Sequence, residues 1–295
     1  MNEPTFRIER LGHKGDGIAA GPVFAARTLP GEEISGTLER DRIARPKIVT
    51  PSSHRVSAPC RHYRSCGGCA LQHADDAFVS AWKQSVVQEA LAANGLTAPI
   101  RRIHTSPPES RRRATFSGRR TKSGAIVGFH GTQSETIHHV PDCLVVSKAI
   151  KDASPTLEEL VRIGASRKGE LKLTLTETAE GLDVAVKGGH EMTAEMQSDL
   201  SAVIQSEMIA RLSWNGELIF QKSAPTVSFY GLSVPIPPVA FLQATLAGEQ
   251  ALRQSVLDGL GDHAVRVVDL FSGAGTFALP IARQSDVHAV EGDSD

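Results

Sequence analysis

Three of the four cysteines, Cys60, Cys66 and Cys69, lie within ten residues in CRHYRSCGGC, and the fourth, Cys143, stands apart in VPDCLVV. Four thiolates can hold either a tetrahedral zinc ion or an iron-sulfur cluster, and Gly67-Gly68 permits the tight turn that directs Cys66 and Cys69 to one centre. Using Cys143 as a nucleophile instead would leave the trio incompletely coordinated. Four cysteines in a 31.5 kDa chain are also too few for a disulfide framework. His54, His62 and His73 flank the trio, but histidines this close are more often surface or supporting groups than ligands.

A second chemistry-bearing segment is DLFSGAGTF, in which Gly273 and Gly275 follow a run of apolar residues and precede a helical pattern. Glycines at that junction let the chain turn sharply and let a ligand approach the amides at a helix start. Glu291 closes the next apolar run, DVHAVEG, where a carboxylate can accept from both hydroxyls of a ribose. Two cofactors suit this order. Gly273, Gly275 and Ala278 satisfy a dinucleotide fingerprint, so an NAD-binding redox protein is one reading. Asp269 and Thr276 favour S-adenosylmethionine, because a carboxylate before the loop suits an ammonium group and would repel a pyrophosphate.

The third feature is charge. The chain has a formal net charge of −1, but residues 1–122 carry +9 and residues 123–295 carry −10. Residues 101–122 hold eight basic side chains against the single acid Glu109, a density suited to a polyanion such as nucleic acid. The alternative is a solvated basic face.

These groups must be positioned by several different elements. Residues 5–50 are punctuated by glycines between short apolar segments, which predicts a small closed β-barrel, and a Ser/Pro-rich linker leads to the cysteines. Asp75 or Asp76 caps an expected helix carrying Phe78, Trp82, Val86, Val87, Ala90 and Leu91, stopped by Asn94-Gly95. Segments within 114–147, 171–177 and 182–188 alternate as strands of one antiparallel sheet, with a helix bearing Met196, Leu200, Val203 and Ile204 packed on it. A helix through residues 240–260 then precedes VRVVDLF, read as a strand buried on both faces, and the glycine loop opens a β-α-β unit. No run of 18 apolar residues occurs and the amino terminus is no signal peptide, so the expectation is a cytoplasmic monomer without a membrane partner.

Taken in order, the glycine-rich barrel, C-x5-C-G-G-C with A-L-Q-H, the Arg-rich strand ending G-F-H, the later single Cys, A-F-L-Q and D-L-F-S-G-A-G-T-F resemble the iron-sulfur RNA 5-methyluridine methyltransferases that begin with a TRAM domain. The resemblance implies an α/β multidomain chain: a TRAM-like, OB-like barrel over residues 1–57 that holds RNA by its backbone and shape, an α+β iron-sulfur domain over 58–235, and the start of a doubly wound, Rossmann-like methyltransferase domain over 236–295. It implies that Cys60, Cys66, Cys69 and Cys143 ligate a [4Fe-4S] cluster. It further implies that Gln243, Phe271, Thr276 and Glu291 contact S-adenosylmethionine, with Asp269 beside them and Gly273 and Gly275 shaping the loop. The family often has Asn where this chain has Thr276. Arg111, Arg112, Arg113, Arg119 and Arg120 then read as contacts to RNA phosphates, in ribosomal RNA for the type resembled most.

In such enzymes a cysteine thiolate adds to uracil C6, C5 takes the methyl group, and a base removes the C5 proton. The target uridine must leave its stack. With four cysteines assigned to one metal site and the sequence stopping at Asp295, the expectation is a form truncated before its nucleophile and base, with no catalytic residue assigned. An inactive RNA-binding iron-sulfur module is the alternative from another class.

Overall fold

The computed structural model describes residues 3–204, 208–261 and 264–292, arranged as two units: Met1–Ile103 with Gly131–Ser134, and His104–His130 with Glu135–Asp295. In the first unit six short strands, β1 (Thr5–Leu11), β2 (Gly17–Ala19), β3 (Val23–Ala25), β4 (Glu33–Ser35), β5 (Arg42–Ile43) and β6 (Lys47–Thr50), form one sheet in the order β5-β3-β2-β1-β4-β6. Strand β1 makes the sheet curl. Its residues Thr5 to Arg7 pair with β4, its later residues pair with β2, and the register shifts between Ile8 and Arg10. The concave side packs Ile8, Ala19, Val23, Ala25, Ile34 and Ile43. Gly17 is required there because a side chain would meet Thr28 and Ile8.

Full closure was the expectation, yet among the described residues no ladder joins β5 to β6, so the sheet is a curled half-barrel. Strand β5 has only two residues, and Pro46 shortly after it has no N–H to offer a partner. Helix α1 (Asp76–Ala93) starts and stops where its capping residues dictate: the Asp75 carboxylate accepts from Phe78 N at 2.7 Å, and Gly95 follows Asn94 with φ of +70°.

The second unit is built on a seven-stranded sheet in the order β13-β12-β11-β10-β7-β8-β9. Its members are β7 (Arg113–Arg120), β8 (Ala125–His130), β9 (Ile137–His138), β10 (Leu171–Thr178), β11 (Gly181–Lys187), β12 (Ile209–Trp214) and β13 (Glu217–Gln221). Helices α2 (Lys148–Asp152), α3 (Ser154–Gly164) and α4 (Ala194–Ile204) contribute Ile150, Leu157, Leu160, Val161, Met196, Leu200 and Ile204 to its core. The sheet is antiparallel except at β11 and β12, which run parallel. Helix α4 lies between them in sequence, and a helical crossover returns the chain in the same direction.

Beyond this sheet lie the hairpin β14 (Thr226–Phe229) and β15 (Leu232–Pro235), then α5 (Leu246–Leu260), β16 (Arg266–Leu270), α6 (Ala278–Ile281) and β17 (Asp286–Val290). Helix α5 begins six residues later than its apolar pattern suggested, because Thr245 caps it by accepting from Gly248 N at 3.0 Å. Strands β16 and β17 are parallel, as a β-α-β unit requires. They are not buried on both faces. Val265, Val268 and Leu270 are largely exposed, because among the described residues these two strands pair only with each other.

Candidate functional site

The glycine loop gathers most of the predicted cofactor residues. Strand β16 carries Asp269 and delivers the chain into Phe271, which is 90% exposed and adopts φ of +59°. Positive φ in a bulky residue is costly and is tolerated where the surroundings fix it. Ser272 N donates to Val290 O at 3.1 Å and Gly275 N to Ser272 O at 3.0 Å, so the loop is tied both to β17 and to itself. Gly273 has φ of +54° with open space where a side chain would be, which leaves its backbone approachable.

Two carboxylates flank this loop in the chain, in different states. Glu291 directly follows β17 and accepts from Gly273 N at 2.7 Å and from its neighbour Gly292 N at 2.8 Å. Asp269 has one oxygen, Oδ2, buried with no hydrogen-bond partner. A buried carboxylate oxygen without a donor is costly, and a hydrogen-bond donor reaching it would offset that cost. Thr276 is half-buried.

Gln243 lies in the segment before α5, and that segment is fastened by one of the predicted RNA-contacting arginines. Arg112 Nε donates to Gln243 O at 3.2 Å, its amide donates to Ala244 O at 3.0 Å, and its guanidinium pairs with Glu249, whose side chain is fully buried. Glu249 has no counterpart among the residues singled out by sequence. Its only signal is a place in the first turn of α5, and nothing in the sequence says that it faces inward. Arg113 donates to Val239 O at 3.3 Å, and Arg119 pairs with Glu170 at 2.7 Å beside His130. Burial pushes the Glu170 carboxyl up, but bonds from Ser117 and His130 outweigh it and hold it below the usual range. Arg111 and Arg120 are the two of the five whose side chains are exposed and, among the described residues, make no such bond.

The cysteine trio belongs to the first unit and Cys143 to the second. Between Cys60 and Cys69 the chain makes successive turns, with Tyr63 N donating to Cys60 O at 3.1 Å and Cys66 N to His62 O at 2.8 Å. Gly68 N donates to Cys66 Sγ at 3.4 Å. All four are partly buried thiols outside any disulfide. Among the described residues, no three His, Cys, Asp or Glu side chains converge closely enough to hold a metal ion. Among the described residues the predicted ligands Cys60, Cys66, Cys69 and Cys143 therefore form no preformed metal site, whether for a zinc ion or for an iron-sulfur cluster.

His73 is an interior group. Its ring meets the Tyr63 hydroxyl at 2.6 Å, and burial beside the Arg55 guanidinium lowers its pKa to about 4, so it is neutral at pH 7. Burial likewise pushes the Tyr63 phenol up to about 12.

Strand, glycine loop, short helix and parallel strand followed by an acid form a β-α-β unit. No protein-family model matches the chain. It is 40% identical over 302 residues to an uncharacterized RNA methyltransferase of Rhizobium meliloti (strain 1021), covering 99% of this chain and 72% of that protein. It is 31% identical over 318 residues to the 23S rRNA (uracil(1939)-C(5))-methyltransferase RlmD of Vibrio vulnificus (strain YJ016), covering 98% and 70%. Its fold matches that of the Pyrococcus abyssi tRNA (uracil-54, C5)-methyltransferase, solved with S-adenosyl-L-homocysteine, with a TM-score of 0.68 at 18% identity over 97% of this chain and 79% of that one. The chain belongs to the RNA (uracil-5-)-methyltransferase family. Among the described residues no helix is long and apolar enough to cross a membrane.

Proposed function

We propose that this chain binds S-adenosylmethionine at the loop between β16 and α6 and serves the C5 methylation of a uridine in RNA. The observation that carries the reading is the orphaned Asp269 Oδ2 beside a glycine loop with open space at Gly273. The donor carries an ammonium group that such a carboxylate can accept, whereas a pyrophosphate would be repelled. When bound, the donor supplies an electrophilic methyl group.

In this reading Asp269 holds the ammonium, and Glu291 gives up Gly273 N to accept the ribose hydroxyls. Phe271 offers an exposed ring to the adenine, and Arg112 with Glu249 keeps the Gln243 segment in place. The four cysteines are given to a [4Fe-4S] cluster, supported by their all-sulfur donor set and the N–H aimed at Cys66 Sγ. None of them is assigned as the nucleophile, and the choice of ribosomal RNA rests on the relative from Vibrio vulnificus.

Titration calorimetry of the purified chain separates the cofactor readings. S-adenosylmethionine binds and NAD does not, and Asp269→Ala weakens binding about 30-fold, the equivalent of ~2 kcal/mol for a charged hydrogen bond. Binding of NAD in preference would overturn the assignment. Anaerobic purification checks the metal: brown protein with iron and sulfide is expected, and colourless protein with stoichiometric zinc is the contrary result.

A further inference from the structure

The hairpin β14-β15 turns through two residues, Tyr230 and Gly231, between Phe229 and its partner Leu232. Both lie at positive φ, +53° and +83°. A turn this tight requires that, and Asn-Gly is its usual filling because Asn enters the left-handed region at little cost. A bulky Tyr does not. Nor is Tyr230 held there by burial, since it is 46% exposed. A residue that bears backbone strain at an exposed tip must be fixed by its contacts.

Two guanidinium groups supply those contacts. Arg283, just beyond α6, lies over the Tyr230 ring at 4.5 Å and donates through Nη2 to Tyr230 O at 3.3 Å. Arg253, in α5, lies over the same ring at 5.2 Å. Among the described residues neither arginine pairs with a carboxylate, so the electron-rich ring is the group that draws both to one point. The elements joined in this way are the two that carry predicted cofactor residues: α5 continues the Gln243 segment, and Arg283 ends the stretch that begins with the glycine loop. The body of the hairpin meets the same two partners. Val227 and Phe229 belong to one small core with Ala240 and Leu242, before α5, and with Ala274 and Leu279, in the glycine loop and α6.

We infer that Tyr230 is a positioning residue for the methyl-donor site: its ring, held by Arg253 and Arg283, fixes the spacing between the Gln243 segment and the glycine loop. The inference rests on the proposal that S-adenosylmethionine binds at the loop between β16 and α6. A ligand that touches both segments gains affinity when their spacing is set before it arrives, because less order remains to be imposed on binding. Tyr230 acts through the two arginines and needs no contact with the ligand.

Titration calorimetry of the purified chain with S-adenosylmethionine tests it, beside a circular dichroism melt of each variant. Tyr230→Gly removes the ring and at the same time relieves the backbone, since glycine adopts positive φ freely. Its melting midpoint is therefore expected to hold while its affinity falls about 10-fold, as for the loss of two exposed cation–π contacts. Tyr230→Phe keeps the ring and is expected to keep the affinity to within about twofold, and Arg283→Gln, which removes one contact of the two, to lose about threefold. A tyrosine that merely fills the turn would leave the glycine variant at wild-type affinity; that result overturns the positioning role and leaves the cofactor reading standing. An equal loss in the phenylalanine and glycine variants overturns the part given to the ring. Failure of the wild type to bind S-adenosylmethionine overturns the cofactor reading, and the positioning role falls with it.

Discussion

Glu32 decides how the first unit responds to substitution. Burial pushes its carboxyl up, but the Arg55 guanidinium and the Leu29 and Ser52 amides outweigh that cost and hold it below the ordinary value. Removing the carboxylate leaves Arg55 without its partner and two amides without acceptors. Glu32→Ala is expected to destabilise the unit by about 3 kcal/mol, read as a fall in denaturation midpoint with an unchanged slope. The same reasoning applies in the second unit, where Arg112 meets buried Glu249. The basic run is plain in the sequence and points to RNA along its whole length. That Arg112 is drawn inward is not legible there, because nothing local to α5 marks Glu249 as buried. The glycine loop is more legible: Gly273 and Glu291 meet through one strand-loop-helix-strand connection, which is local in the sequence.

Elements with their own stop and start signals are readable, and those set by distant partners are not. Helix α1 follows from Asp75 and Asn94-Gly95, and α4 from its apolar spacing. Helix α3 escapes a reading of the sequence although Leu157, Leu160, Val161 and Gly164 recur at helical spacing, because its start, Ser154-Pro155, resembles a turn. The parallel pairing of β11 with β12 is also hidden. A bidentate ion pair secures it, with Arg211 Nε to Asp183 Oδ1 at 2.8 Å and Nη2 to Oδ2 at 2.9 Å, both side chains nearly fully buried. Arg211 Nη1 also reaches Ile236 O at 3.0 Å, beyond the hairpin β14-β15. Asp183→Ala should therefore cost about 3–5 kcal/mol and loosen that region, seen as faster amide exchange in β12 and at Ile236. Replacing both residues with apolar side chains of similar size should cost much less, since the penalty comes from stranding one charge.

On the scale of the whole molecule, the two units differ in what acid does to them. His73 in the first unit has a folded pKa of about 4, below the ordinary histidine value of 6.5, so the unfolded chain takes up a proton first. Its contribution to stability is fully present above pH 6.5 and is lost as pH falls from there towards 4. The charged and titratable groups around it, Arg55, Glu32, Tyr63 and Arg27, do not offset this, because the two arginines oppose its protonation and Tyr63 stays neutral. Glu32 adds a second loss, but only below about pH 4.5, where its unfolded form protonates. In the second unit the depressed groups are the carboxyls Glu170 and Glu180, lowered by hydrogen bonds against a burial cost, and their losses also begin near pH 4.5. Between pH 6.5 and 4.5 the first unit alone should weaken. Limited proteolysis at about pH 5 is expected to cut within residues 1–103 while the sheet built on β7 to β13 survives, and His73→Gln should abolish the difference between about pH 7 and pH 5. Equal loss of both units over that interval, or a pH response that persists in the variant, would show that His73 does not control it.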